Sequence, residues 1–125
     1  MKVWTAQYRY SGPDRLDITV KGKDPFGKLF APTWEMVMGL KGGKITETDY
    51  RSEYISLLLE RSREKINWAD MISEDRTLVC FCKPGAFCHR VILAQFLAKA
   101  FNIVEYMGER ELQWKPTAIS GFWWE

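Results

Sequence analysis

The sequence predicts an α/β protein, with an open, mostly parallel sheet flanked by helices in a Rossmann-like, three-layer arrangement. Three observations carry this. The run RTLVCFC at 76–82 is nearly all apolar, as a central strand covered on both faces must be. A KPGA loop, the apolar-striped segment FCHRVILAQFLAKAF and then IVEYM follow it, which is the strand, loop, helix, strand order of a βαβ unit. The chain has 125 residues, 46% hydrophobic and 27% charged, enough for one core and not for two, so residues 1–125 are expected to form a single domain.

The elements follow in order. Residues 1–5 read as a strand, and Ser11-Gly12-Pro13-Asp14 as a turn, because Gly and Pro supply special backbone angles and Asp bonds its own backbone. LDITV at 16–20 alternates apolar and polar residues and is rich in β-branched side chains, so it predicts a second strand. KGKDPFGK at 21–28 reads as a loop. TWEMVMGLK predicts a short helix ending at Gly42-Gly43, where glycine accepts a left-handed cap. Thr46 followed by Asp49 resembles a capping box, and Tyr50, Tyr54, Leu57 and Leu58 recur at helical spacing behind it. The charge run at 60–65 is the solvated side of that helix. Asn67 is placed to cap a further turn, WADMI. In the helix after the KPGA loop, Val91, Leu93, Ala94, Leu97, Ala98 and Phe101 form the apolar stripe.

Eighteen basic and sixteen acidic side chains leave a net charge of +2, which argues against a dedicated nucleic-acid binder. No apolar stretch reaches membrane-spanning length, and MKVWTAQYRY lacks the apolar core of a signal peptide, so a cytoplasmic protein is expected. All three cysteines, Cys80, Cys82 and Cys88, fall within nine residues, and the only histidine, His89, comes next with Arg90. An odd, clustered set is a poor disulfide framework and fits a reducing compartment.

Ligands of open α/β sheets lie beyond the carboxyl ends of the strands. Gln7, Tyr8 and Arg9 after the first strand, Thr19 and Lys21 after the second, and the turn holding Lys83 and Gly85 are expected to converge there. The turn opens a helix whose first amides lack internal partners and favour an anion. Four readings of C-x-C-x5-C-H-R stay open. One is an anion pocket, in which Arg90 brings a forked charge suited to phosphate or carboxylate and Cys88 carries a lowered pKa. A second is a zinc site of thiolates and imidazole. Against it stand the spacing, the unusual turn that adjacent Cys88 and His89 would need, and the charge of Arg90 beside a cation. A third, a phosphatase-like or sulfurtransferase-like loop, requires Arg six residues after the thiolate, whereas Cys88 stands six after Cys82 and Arg90 eight after. The fourth is structural: Cys80 and Cys82 pack in the core, His89 bonds a carbonyl, and Arg90 pairs with an internal acid such as Asp17.

TLVCFCKPGAFCHRVILAQFLAKAF resembles the signature of the domain-of-unknown-function four-eight-eight family of bacteria and phages, in which Cys-His-Arg opens a helix after an apolar strand and a short loop. RLDIT, with Asp17, is similar to that family's second motif. Thr19 stands where the family often has arginine, a place that Arg15 or Lys21 could fill. The resemblance runs from KVWTAQYRYSG to about Glu105 and is nearest to a small phage-encoded branch, for which the location would be the host cytoplasm. It implies an α/β fold and a pocket around the motif, and it brings no established reaction.

Together these readings predict a small protein that binds a phosphorylated or nucleotide-like anion, with catalysis left open. Cys88, His89, Arg90 and Asp17 are its candidate catalytic residues, and Gln7, Tyr8, Arg9, Arg15, Lys83 and Gly85 its candidate binding residues. Arg90 and the helix amides would hold the anion, His89 would move a proton and Asp17 would orient a basic group or water. No metal or cofactor is assigned, and a monomer or homodimer is expected. Two alternatives differ in class. One is an interaction protein, phage-encoded, that grips a host component through Phe122, Trp123 and Trp124; those rings would otherwise cover the protein's own core. The other is a structural zinc-binding domain. Stacking of single-stranded bases on Trp4, Tyr8 and Tyr10 beside Arg9 is a weaker reading.

Overall fold

The structure is a computed structural model that describes residues 1–81 and 87–110. Cys82, Lys83, Gly85 and the aromatic run at 122–124 lie outside the described residues. The element order is β1 (Lys2–Gln7), β2 (Arg15–Asp17), α1 (Pro25–Lys28), α2 (Trp34–Lys41), α3 (Glu47–Arg61), α4 (Trp68–Met71), β3 (Arg76–Cys80), α5 (His89–Ala100) and β4 (Glu105–Glu109). The four strands form one sheet in the order β2-β3-β1-β4, with every pairing parallel. The open parallel α/β architecture expected from the sequence is therefore present.

Local chemistry explains most of the boundaries. Thr33 caps α2 by accepting from the Met36 amide, and Asn67 caps α4 by accepting from that of Ala69. At α3 the capping box is complete: the Thr46 hydroxyl accepts from the Asp49 amide and the Asp49 carboxylate from that of Thr46, each at 3.1 Å. The shorter Asp thus does the work of the usual Glu. The segment at 21–28, read as a loop, contains α1. Asp24 accepts from the Phe26 and Gly27 amides, and Pro25 occupies the first helical position, where its missing N–H is no loss. The second strand ends at Asp17 and not at residue 20. The Asp17 carboxylate accepts from both the amide and the hydroxyl of Thr19, and this local turn takes the chain out of the sheet. Among the described helices, α5 alone starts without a side-chain cap bond; its cap residue is Cys88.

All five helices of the described residues contribute to one core cluster on a single face of the sheet. Val3, Leu16 and Leu78 enter it from the strands, Tyr54 and Leu58 from α3, and Ile92 and Leu93 from α5. The stripe on α5 is rotated from the expected one: Ile92 is buried with Leu93, Ala94 and Leu97, while Val91, Ala98 and Phe101 are half-buried. The opposite face carries a smaller cluster of Ala6, Tyr10 and Val79 with Tyr8 against it. Among the described residues no helix covers that face, so the second helical layer of a three-layer arrangement is not seen there. Among them, too, no helix is long and apolar enough to cross a membrane.

The last strand runs to Glu109, two residues past the expected end. Its register against β1 shifts between Val3 and Thr5, near Gly108, whose φ of +96° is open to glycine and strained for other residues. The shift sets Glu109 opposite Thr5, within reach of α5.

Candidate functional site

Parallel pairing brings Gln7 level with Cys80, and Asp17 level with Val79, at the carboxyl ends of β1, β2 and β3. Beyond those ends lies a cavity of about 440 Å³. Cys80, Cys88 and His89, all buried, close its inner end. Val37, Leu40, Tyr50 and Phe87 line its sides, while Lys21, Trp34, Lys41 and Phe81 stand exposed at its rim. The Lys21 ammonium lies 5.1 Å from the centre of the Trp34 ring, a cation–π contact.

Cys88 is extended, with φ −156° and ψ 150°, and His89 is the first helical residue of α5. This change of backbone turns both side chains toward the cavity, the turn that adjacent Cys88 and His89 would need to act together. The His89 Nε2 lies 2.8 Å from the Ile18 carbonyl oxygen, so Nε2 carries the proton and donates it. Nδ1 is then the lone-pair atom, 3.7 Å from the Cys88 sulfur. Burial pushes the His89 pKa down to about 4, and the ring is neutral at neutral pH.

The Cys80 and Cys88 sulfurs are in direct contact. The Cα atoms of the pair are 7.9 Å apart, wider than the roughly 4.4–6.8 Å span of an ordinary disulfide. We therefore read them as two thiols brought together by the fold and not as a structural cross-link.

Arg90, 1% exposed, points away from the cavity. Its Nη2 and Nε donate to the two Glu109 carboxylate oxygens at 2.6 and 3.2 Å, and its Nη1 donates to the Cys80 sulfur at 2.9 Å. Its acid is thus Glu109, where the sequence suggested Asp17. Burial raises the Glu109 carboxyl, but hydrogen bonds from Arg90 and Thr5 and the Arg90 charge outweigh it and hold the group below the ordinary range.

The remaining candidates divide by position. Asp17 is buried, holds Thr19 and contacts the backbone of Gly22, where an added Cβ would lie 2.9 Å from the carboxylate. It shapes the Thr19–Lys21 wall from behind. Arg15 donates to the Tyr8 and Tyr10 carbonyls and stacks on the Tyr8 ring, so it braces the turn after β1. Tyr8 stacks on Phe81 with ring centres 4.2 Å apart. Gln7, Tyr8, Arg9 and Arg15 do not line the cavity. Of the residues suggested for base stacking, Tyr10 is buried and Trp4 lies under Arg110, which leaves no continuous aromatic platform among them.

Glu109, Trp34, Lys41, Tyr50 and Phe87 were not foreseen as site residues. An exposed Trp on the first turn of a capped helix was a usable signal for Trp34; Glu109 gave none, because its position depends on the register shift at Gly108.

No curated protein and no solved structure matches the chain. A family model does: residues 1–101 match DUF488-N3a, described as the active DUF488-N3 subclade. That match takes in the cavity-lining residues, from Thr19 to His89, and on it the chain belongs to the DUF488 family.

Proposed function

We propose that the protein binds a small anion carrying a flat, apolar portion, nucleotide-like in build, in the cavity beyond the sheet. The observation that carries this reading is the pairing of aromatic rings with two lysines around one opening. Trp34, Phe81, Tyr50 and Phe87 offer ring surfaces, and Lys21 and Lys41 are the charges at the rim. At about 440 Å³ the space falls within the roughly 300–1,000 Å³ usual for small-molecule sites, which are likewise mostly apolar with a few placed polar groups. The anion is assigned to the lysines. Arg90 acts as a positioning residue, since its guanidinium serves Glu109 and Cys80. His89 offers Nδ1 as a neutral acceptor at the inner end, and Asp17 fixes the wall that carries Lys21.

The test is thermal unfolding in the presence of nucleoside monophosphates and of the matching uncharged nucleosides. A ligand at a hundred times its Kd adds about 2.7 kcal/mol, a rise of several degrees in Tm for a chain of this size. The nucleotides should produce it and the nucleosides should fall well short. The double variant Lys21→Ala, Lys41→Ala should unfold as the wild type does and lose the response. A panel without any shift overturns the reading.

A further inference from the structure

We infer that Cys80, Cys88 and His89 form a three-ligand site for a zinc-class divalent cation, with the fourth coordination position open to the cavity. The three donor atoms lie within 4.8 Å of one another and all three residues are buried. Ligand bonds of about 2.3 Å to sulfur and 2.0–2.1 Å to nitrogen set tetrahedral donors roughly 3.5–3.8 Å apart. The Cys88 sulfur and His89 Nδ1, at 3.7 Å, already have that spacing. The two sulfurs, in direct contact here, must part to that spacing to admit a cation, and a Cα separation of 7.9 Å leaves the span for it.

Two features outside the ligand set support the site independently. Metal-bound imidazoles usually donate their second ring N–H to a carboxylate or carbonyl, which fixes tautomer and orientation. His89 does so to Ile18 at 2.8 Å, and this leaves Nδ1 as the donor beside the sulfurs. The charge of Arg90, which weighed against a cation in the sequence, is neutralised by Glu109, and its Nη1 donates to the Cys80 sulfur. Such a bond stabilises a thiolate without competing for the metal. Two thiolates balance a divalent ion, and the Arg90–Glu109 pair adds no net charge.

Three protein ligands with one free position are the pattern of reactive zinc sites, and four that of structural ones. The cavity borders all three residues, so a carboxylate, phosphate or water reaching inward from it would complete the tetrahedron. The site does not depend on which molecule fills the cavity, and it can be tested without one.

The chain, purified with thiols protected and no chelator, should carry about one equivalent of zinc by elemental analysis. After zinc removal, cobalt(II) should give a thiolate-to-metal charge-transfer band together with tetrahedral visible bands. Replacing both thiolates (Cys80→Ala with Cys88→Ala) should abolish the charge-transfer band, and His89→Gln should weaken binding at least tenfold, as loss of one ligand requires. The wild-type spectrum decides the matter even if either variant fails to fold. The proposal gives Cys82 no role, so Cys82→Ser should keep the band; its loss would overturn the open fourth position. A wild-type chain that takes up no cobalt, or that yields a Cys80–Cys88 disulfide peptide under these thiol-protecting conditions, overturns the site itself.

Discussion

On the face of the sheet away from the helices, Tyr10, Asp14, Thr77 and Arg110 close a ring of hydrogen bonds. Asp14 accepts from the Tyr10 hydroxyl at 2.6 Å, from the Thr77 hydroxyl at 2.8 Å and from Arg110 at 2.9 Å. Arg110 also lies 3.9 Å above the Trp4 ring. Burial and the bond to Asp14 push the Tyr10 hydroxyl up to about 12, so it stays a donor throughout the neutral range. On the helix face the comparable cation, Arg90, has a carboxylate on one side and a thiol on the other, and that thiol borders a cavity. Both networks tie the region around β4 to the middle of the sheet. One ends on its own members, while the other leads through Cys80 to Cys88, His89 and open space. The first arrangement is what a stabilising network needs. The second holds Cys80, Cys88 and His89 in place at the inner end of a cavity.

This difference is open to attack at Asp14. Asp14→Ala would leave a guanidinium and two hydroxyls without their shared acceptor, a loss of about 3 kcal/mol. Urea denaturation should show it as a lower midpoint at unchanged slope. Ligand and cobalt responses of the folded variant should match the wild type. A loss of cobalt binding would show that the two faces are coupled and remove the distinction between them.

Much of this organisation was legible in the sequence. The βαβ spacing around RTLVCFC gave the parallel sheet, and Thr46 with Asp49 marked the start of α3, because periodicity and capping act over a few residues. The convergence of Cys88, His89 and the Thr19–Lys21 segment followed from the rule that sites lie beyond strand ends. What was illegible depends on register and long-range packing. Nothing near Arg90 in the chain identifies Glu109, nineteen residues on, as its acid. Asp17 was the natural choice, but its carboxylate is engaged with Thr19, two residues away. The aromatic wall escaped for a similar reason: Trp34, Tyr50 and Phe87 come from three separate segments and meet only after α2 and α3 fold against α5.

Glu109→Gln sharpens the comparison at the other network. The variant keeps a hydrogen-bond acceptor for Arg90 and removes the charge, so the expected destabilisation is about 1–2 kcal/mol, tempered by the part of Glu109 that faces solvent. The pH dependence has a definite sign. The folded-state pKa of Glu109 is depressed, so the unfolded chain binds the proton first. Its contribution is complete above the ordinary glutamate range and is lost as the pH falls through the folded value. Stability curves of wild type and variant should therefore run apart near neutrality and draw together in acid. A gap that persists on acidification would mean that Glu109 acts through packing and not through its charge.

The smallest effect on stability, and the sharpest on binding, is expected at Trp34. The ring is 49% exposed and its chief neighbour at the rim is the Lys21 ammonium, so Trp34→Ala should shift the unfolding free energy by no more than about 0.5 kcal/mol. Stacking of a base on an aromatic side chain is worth about 1–3 kcal/mol by alanine substitution, so the same change should weaken nucleotide binding by about tenfold or more in calorimetric titration. Trp34→Phe keeps a ring at that position and should recover most of the affinity. If Trp34→Ala instead lowers stability by as much as Glu109→Gln does while binding stays intact, the ring belongs to the core. The cavity would then have lost its outer stacking wall, and with it the contrast between a closed face and an open one.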